Sequence, residues 1–293
     1  MTAASQLSPH SGERVELPGR YGPIVALRGA APAQGAPTGI ALLVPGYTGS
    51  KEDFAPILDG CSAAGLLPIA VDLPGQFESG GPDDESAYLP SALGEVLAEL
   101  ITTLTSQGRV LLLGHSYGGL VARAAVLAGA AVGGLTLLDS GPAHLPDGRR
   151  RQALLAGEPV MRSKGASVVY ELRERLVTKL TGHPPARDEL ATFLRSRFVA
   201  SAPAGLLGMA HGLRAEPDRT GELADVLRTR HLPALVVAGE RDDAWSVATQ
   251  REMATRLHSP FAVVEGAGHS PNTENPKGLL DVLLPAWQRW LDS

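Results

Sequence analysis

Short apolar runs recur along the 293-residue chain, and most of them are apolar throughout rather than alternating with polar positions. Strands covered by helices on both faces show this pattern, because neither face meets water. Helix-length segments separate most of the runs, so the chain predicts the α/β class with a mostly parallel, doubly wound sheet. The predicted strands cover residues 24–27, 40–44, 68–71, 110–113, 135–138, 235–238 and 262–264, and the predicted helices between them include 91–103, 120–127, 247–257 and 279–290.

The first two apolar runs, residues 24–27 and 40–44, follow one another without a helix between them. This arrangement predicts an antiparallel hairpin at the start of the chain, and the Pro/Gly/Ala-rich residues 29–39 would form its loop. A hairpin beside parallel strands makes the predicted sheet mixed.

The strand pattern stops between about residues 143 and 230, where helical patterns cover 168–180, 188–199, 204–211 and 222–229. This window contains 15 basic and 10 acidic residues, a net charge of +5, whereas the rest of the chain has a net charge of −10. We expect a helical cap of residues 143–230 inserted into a core of residues 1–142 and 231–293. The positive balance fits either a negatively charged group on a substrate or solvated surface arginines. Prolines 184, 185, 203 and 217 separate the helical patterns.

Composition, net charge and cysteine count exclude several classes of function. Hydrophobic residues make up 44% of the chain and charged residues 19%, which suits a globular protein with a sizeable core. The net charge of −5 argues against a nucleic-acid partner. Cys61 is the single cysteine, so an internal disulfide and a cysteine zinc cluster are excluded. No G-x-G-x-x-G motif opens a helix after a strand, and we expect neither an organic cofactor nor a metal.

The chain also lacks the patterns of export and membrane insertion. Its first residues show no basic segment followed by an apolar one, and the longest uncharged apolar stretch, residues 124–138, is too short to span a bilayer. The sequence therefore predicts a cytoplasmic protein without a membrane span that acts on a small molecule. It leaves the oligomeric state open.

The strongest chemical signal is a G-x-S-x-G motif around Ser116, which follows a strand pattern and precedes a helix pattern. A sharp strand-to-helix turn of this kind exposes the serine hydroxyl and directs the next backbone N–H, that of Tyr117, toward whatever the serine attacks. A serine nucleophile needs a base, and the base needs an orienting acid. Later strand ends offer His269 as the base and Asp242 as the acid, with Asp139 and Asp243 as alternatives for the acid.

These motifs together resemble the α/β-hydrolase superfamily, and the resemblance extends over nearly the whole chain. The matching segments are residues 114–118 (Gly-His-Ser-Tyr-Gly, the nucleophile elbow), 239–242 (Gly-Glu-Arg-Asp, the acid turn), 268–269 (Gly-His) followed by 274–276 (Glu-Asn-Pro), 72–79 (Asp-Leu-Pro-Gly-Gln-Phe-Glu-Ser) and 44–50 (Val-Pro-Gly-Tyr-Thr-Gly-Ser, the oxyanion loop). Two positions depart from the family pattern: Phe77 stands where glycine is usual, and Pro45 replaces a histidine that normally braces the oxyanion loop.

The resemblance implies the α/β-hydrolase fold and an oxyanion hole formed by the backbone N–H groups of Tyr47 and Tyr117. We therefore expect a serine hydrolase that cleaves a small-molecule carboxylic ester through an acyl-enzyme. Thioester or amide hydrolysis, acyl transfer, perhydrolysis and C–C bond cleavage would suit the same residues, and a non-catalytic ligand receptor is a further alternative. Candidate residues for the substrate pocket are Trp245, Leu206, Leu207 and Met209.

Overall fold

The computed structural model describes residues 4–32, 35–183 and 186–293, and its centre is a single mixed sheet. Strands β3 to β8 run parallel, while β1 and β2 are antiparallel to their neighbours. The spatial order is β1-β2-β4-β3-β5-β6-β7-β8, so the predicted mostly parallel sheet is confirmed. The strands are β1 (Glu13–Leu17), β2 (Ile24–Arg28), β3 (Gly39–Val44), β4 (Leu66–Val71), β5 (Val110–His115), β6 (Gly134–Leu138), β7 (Ala234–Gly239) and β8 (Phe261–Val264).

Helices cover both faces of this sheet. Along β3, Ile40 and Leu42 belong to the hydrophobic core under one face, and Ala41 and Leu43 belong to the core under the other. Both faces are dry, which is why the strand reads as a continuous apolar run. The helices are α1 (Ala55–Ala63), α2 (Pro90–Leu104), α3 (Tyr117–Leu127), α4 (Arg149–Thr181), α5 (Glu189–Ala200), α6 (Pro203–Ala215), α7 (Thr220–Thr229), α8 (Val247–Arg256), α9 (Pro271–Glu274) and α10 (Pro276–Leu291).

The predicted hairpin between the first two apolar runs is wrong. Strand β2 pairs with β1 and β4, whereas β3 pairs with β4 and β5. The hairpin is instead formed by β1 and β2, and β1 escaped prediction because its Glu-Arg-Val-Glu-Leu sequence is mostly exposed. Residues 29–39, of which 33–34 lie outside the described residues, therefore lead past β4 to β3 rather than around a hairpin turn.

Helices α4 to α7 are inserted between β6 and β7, and the described residues of this segment contain no strand. Helix α4 starts well before the predicted residue 168 and is broken at Gly165, which has a φ of 78°. Prolines 184 and 185, expected to punctuate the segment, lie outside the described residues. Helix α7 packs against α3 and α8, and its buried Leu223 and Leu227 join the core of the sheet. The division into domains at residues 143 and 230 stays a prediction.

Across the described residues, we find no helix with both the length and the apolar character needed to cross a membrane.

Candidate active site

Ser116 occupies a sharp turn between β5 and α3. Its backbone has a φ of 54° and a ψ of −118°, which side-chain-bearing residues rarely adopt. The turn is held by the Ser116 N–H, which donates to the Leu138 carbonyl at 2.8 Å. A Cβ at Gly118 would collide with the carbonyl oxygens of Val44 and Pro45, so glycine is required for the turn to pass under the loop after β3. The structure thus stores backbone strain at the candidate nucleophile.

Three side chains that are distant in sequence form a hydrogen-bonded row. The Ser116 Oγ is 3.0 Å from the His269 Nε2, and the His269 Nδ1 is 2.8 Å from the Asp242 Oδ1. Ser116 follows β5, Asp242 follows β7 and His269 follows β8. Because the carboxyl ends of parallel strands meet at one edge of the sheet, the fold brings the three turns together.

The surroundings of Asp242 hold its carboxylate in place. Its Oδ1 also accepts from the Ala244 N–H at 2.8 Å, and its Oδ2 accepts from the Gln250 Nε2 at 2.7 Å. Burial alone would raise the pKa of Asp242, but the hydrogen bond and charge of His269, together with the hydrogen bonds from the Ala244 N–H and Asp139, hold the pKa below its usual value. The carboxylate is therefore ready to orient and stabilise a protonated imidazole.

The two alternative acids occupy different environments. Asp243 points outward with its side chain 70% exposed and pairs with Arg150 at 2.5 Å. Asp139 is fully buried at the end of β6, and its Oδ1 accepts from the Gly239 N–H at 2.7 Å. Burial and the neighbouring negative charge of Asp242 raise the pKa of Asp139 well above its usual value. Neither carboxylate is hydrogen-bonded to His269.

Asp139, Asp242 and His269 also offer ligand atoms within 4.8 Å of one another, a spacing that could hold a metal ion. The hydrogen bonds from the Gly239 N–H to Asp139 and between Asp242 and His269 already engage these groups. Hydrogen bonds within the protein therefore explain why these three side chains lie close together.

Two backbone N–H groups close to the Ser116 turn, those of Tyr47 and Tyr117, have no acceptor among the described residues. Tyr117 opens α3, where the first amides of a helix have no intrahelical partner. A Cβ built on Gly46 would be 2.9 Å from the Ser116 Cβ, so only glycine lets the Tyr47 loop come this close.

His115 lies beneath the same turn. It is buried, and its Nε2 is 2.6 Å from the carbonyl oxygen of His269. Burial, assisted by the nearby His269, lowers the pKa of His115 to about 4. A neutral ring has one protonated nitrogen, and the carbonyl at Nε2 can only accept, so the proton is on Nε2. His115 therefore ties the elbow to the His269 loop and takes no part in the row of three side chains.

The candidate pocket residues fall into two groups. Leu206 and Leu207 belong to an apolar cluster of the inserted helices, and Tyr47 packs against that cluster. Met209 and Trp245 are each 1% exposed and belong to the core of the sheet. The Trp245 N–H donates to the His144 carbonyl at 3.3 Å, and its ring centroid is 6.5 Å from that of His269. Their roles toward a substrate stay predictions.

Two residues of the site were given no role from sequence. Gln250 lies in the first turn and a half of α8, eight positions after Asp242, where no motif marks it. Gln76 lies inside the 72–79 segment, and its amide reaches the loop that carries Tyr47. Each residue has a buried side-chain amide in or near a motif. The hydrogen-bond partner of each amide can be recognised only from the three-dimensional arrangement of the turns.

Comparison with known proteins agrees with this fold. The sequence profile of the Alpha/beta hydrolase family matches residues 41–282, and the chain belongs to that family. Among curated proteins, it is 29% identical over 261 residues to the 2-succinyl-6-hydroxy-2,4-cyclohexadiene-1-carboxylate synthase of Salmonella schwarzengrund, covering 85% of this chain and 93% of that protein.

Solved structures show the same fold. A thermophilic esterase from Thermogutta terrifontis superposes with a TM-score of 0.71 at 24% identity, covering 96% of this chain and all of that one. MenH from S. aureus superposes with a TM-score of 0.72 at 17% identity, covering 90% of this chain and 98% of that one. At these identities the likeness concerns the fold.

Proposed function

We propose that the chain is a serine hydrolase that cleaves a small-molecule carboxylic ester through an acyl-enzyme. The observation that carries this proposal is the hydrogen-bonded row of Ser116, His269 and Asp242, together with two nearby backbone donors that bond to none of the described residues. A nucleophile, a base, an orienting acid and an oxyanion site are the parts that acyl transfer needs. In this proposal, the N–H groups of Tyr47 and Tyr117 bind the oxyanion.

The geometry supports a two-step reaction. The Ser116 Oγ attacks the ester carbonyl while its proton passes to the His269 Nε2, and the carbonyl oxygen becomes an oxyanion. The intermediate collapses, the C–O bond to the alcohol breaks, and His269 returns the proton to the leaving alcohol. Water then attacks the acyl-enzyme with His269 again as base, releasing a carboxylic acid and restoring Ser116. Asp242 stays ionised and stabilises the imidazolium in both steps.

The proposal is tested by kinetics on p-nitrophenyl esters of graded acyl length. We expect Ser116→Ala and His269→Ala each to abolish turnover, and the double variant to lose little more, because the members of a triad act as a unit. Ser140→Ala is the matched control, since Ser140 is another buried serine that follows the neighbouring strand β6. Losses that multiply in the double variant would contradict the assignment.

Covalent labelling separates this proposal from a non-catalytic receptor. A fluorophosphonate should label wild type at Ser116 and leave Ser116→Ala unlabelled, as followed by intact-protein mass spectrometry. An unlabelled wild type would indicate a receptor with an inert serine.

A second candidate function comes from the curated relatives, which are named for synthesis of 2-succinyl-6-hydroxy-2,4-cyclohexadiene-1-carboxylate. The same row of side chains would then transfer protons without an acyl-enzyme. Mass spectrometry distinguishes the two, because ester hydrolysis adds the mass of an acyl group to Ser116 during turnover. A wild type that reacts with fluorophosphonate but never carries an acyl group would favour the synthase-type reaction.

A further inference from the structure

The side chain of Gln76 is buried between two backbone segments. It is 2% exposed, its Oε1 accepts from the Leu73 N–H at 2.9 Å, and its Nε2 donates to the Gly46 carbonyl at 2.8 Å. Its Nε2 also lies 3.9 Å from the Met209 Sδ. A flipped amide would place Oε1 against the Gly46 carbonyl, so the two hydrogen bonds define the orientation of the side chain.

The bond to Gly46 has a consequence for the neighbouring N–H. The Gly46–Tyr47 peptide is trans and planar, so its C=O and its N–H point in opposite directions. The Gly46 oxygen accepts from Gln76 and, at 3.0 Å, from the Gly49 N–H. Anchoring this oxygen on one side fixes the Tyr47 N–H on the other, where it has no acceptor among the described residues.

The loop has few other means of fixing this peptide plane. Pro45 precedes Gly46 and offers neither a backbone donor nor a side-chain hydrogen bond. Gly46 itself is the residue type with the greatest backbone freedom, and close approach to Ser116 allows no other residue there. Within the loop the Gly49 N–H donates to the Gly46 oxygen, and the Gln76 amide adds the restraint from outside the loop.

We propose that Gln76 is a positioning residue that holds the Gly46–Tyr47 peptide with its N–H directed at the oxyanion formed on Ser116. The proposal rests on the proposed acyl-transfer function for its kinetic part. Gln76 touches no reacting atom and acts through the orientation of Tyr47. A purely structural role, such as holding the 72–79 turn through Leu73, would affect stability without selectively slowing the chemical step.

The kinetic test compares Gln76→Met with wild type on one p-nitrophenyl ester. Methionine keeps the length of the side chain and removes the donor. Loss of a whole oxyanion donor costs about 10²–10³ in rate, so we expect a misoriented one to lower kcat by about 10–100-fold while KM stays within about twofold. Affinity for an arylboronic acid, whose adduct with Ser116 places an oxygen at the oxyanion position, should fall by a similar factor.

Thr136→Val is the matched control. The Thr136 Oγ1 accepts from the Trp287 N–H at 2.9 Å within the core of the sheet, so this variant also loses a buried side-chain hydrogen bond. We expect it to lower thermal stability and leave kcat within about twofold of wild type. Equal kcat in Gln76→Met and wild type would overturn the positioning role while leaving the hydrolase proposal standing. Gln76→Leu replaces Gln76→Met if the latter does not fold.

A crystal structure of Gln76→Met tests the same inference without turnover. We expect the Gly46–Tyr47 peptide to be rotated, so that the Tyr47 N–H points in a different direction from that in wild type. An unchanged peptide would overturn the inference, whatever the kinetics. If wild type hydrolyses no ester and resists fluorophosphonate, the hydrolase proposal fails, and this structural comparison still decides whether Gln76 orients the peptide.

Discussion

Asp242 and Asp139 lie side by side at the ends of neighbouring strands, yet their environments separate their chemistry. Asp242 is ionised and hydrogen-bonded to the imidazole, whereas burial and the charge of Asp242 favour the protonated form of Asp139. Two carboxyl groups this close cannot both carry a charge at low cost. Hydrogen-bond geometry therefore places Asp242, and not Asp139, against His269. The sequence had left both carboxylates as candidates.

We expect Asp242→Asn to lower kcat/KM for an ester by about 10⁴, because asparagine keeps the shape but stabilises the wrong imidazole tautomer. Asp139→Asn should cost far less, because its carboxyl oxygen bonds the Gly239 N–H rather than His269. Asp243→Asn should stay within about twofold. Steady-state kinetics on the three purified variants check the order, and a crippled Asp139→Asn with an active Asp242→Asn would reverse the assignment.

Ion pairs connect the inserted helices to segments of the chain outside the insertion. On α5, the Arg197 Nη1 lies 2.6 Å from the Asp53 Oδ1, and on α4, the Arg162 Nη1 lies 2.5 Å from the Glu85 Oε1. These contacts explain part of the net positive charge of residues 143–230, because arginines of this segment pair with carboxylates in the rest of the chain, which has a net negative charge. A charge preference for the substrate is not needed to explain such residues.

Phe77, the departure from the usual glycine, also joins the insertion to the core. Its φ of 39° lies in the left-handed region, which is strained for a side-chain-bearing residue. Its N–H donates to the Ser201 Oγ at 3.1 Å, and its ring meets the Phe193 ring edge-on at 5.7 Å. Contacts with the segment around α5 therefore offset the backbone strain that glycine would avoid.

We expect Arg197→Met to lower the free energy of unfolding by about 3–5 kcal/mol, because it leaves the buried Asp53 carboxylate without its cation. Arg228→Met is the control, since Arg228 pairs with Asp225 on the surface of α7 and both side chains are more than two-thirds exposed. Its cost should be within about 0.5 kcal/mol. Urea unfolding followed by circular dichroism measures both values, and similar losses in the two variants would show that burial does not strengthen the pair.

The whole molecule should lose stability in mild acid, and His115 is one identifiable source. The unfolded chain protonates this residue below a pKa of about 6.5, whereas in the folded state the pKa is lowered to about 4. Between these values the unfolded state binds more protons, so stability falls as the pH falls. His269, Asp53 and Asp242 are the titratable neighbours that influence the pKa of His115.

Replacing His115 with glutamine should flatten this dependence. Wild type is expected to lose up to about 3 kcal/mol more than His115→Gln between pH 6.5 and pH 4, because the pKa difference is worth about 1.4 kcal/mol per unit. Urea unfolding across this pH range measures the difference. Parallel curves for the two proteins would mean that His115 is protonated equally in the folded and unfolded states.

Seven of the eight strands in the described residues could be located from the sequence because they are continuously apolar, most of them through burial on both faces. Ser116, Asp242 and His269 were predicted as the catalytic residues because each follows such an apolar run. Local chemistry is sufficient there: an apolar run, a glycine-rich turn and a reactive side chain are neighbours in the chain. Strand β1 was missed because an exposed edge strand needs no apolar run. The start of α4 was missed because Gly157, Pro159 and Gly165 interrupt its pattern.

Only the tertiary structure decided the contacts between segments that are distant along the chain. In the tertiary structure, β2 pairs with β4 and not with β3, and His269 is hydrogen-bonded to Asp242 and not to Asp139. The Gln76 amide donates to the Gly46 carbonyl. These outcomes depend on strand order and on distances of a few ångströms between turns. No local pattern contains that information, because it arises when the carboxyl ends of the strands are brought to one edge of the sheet.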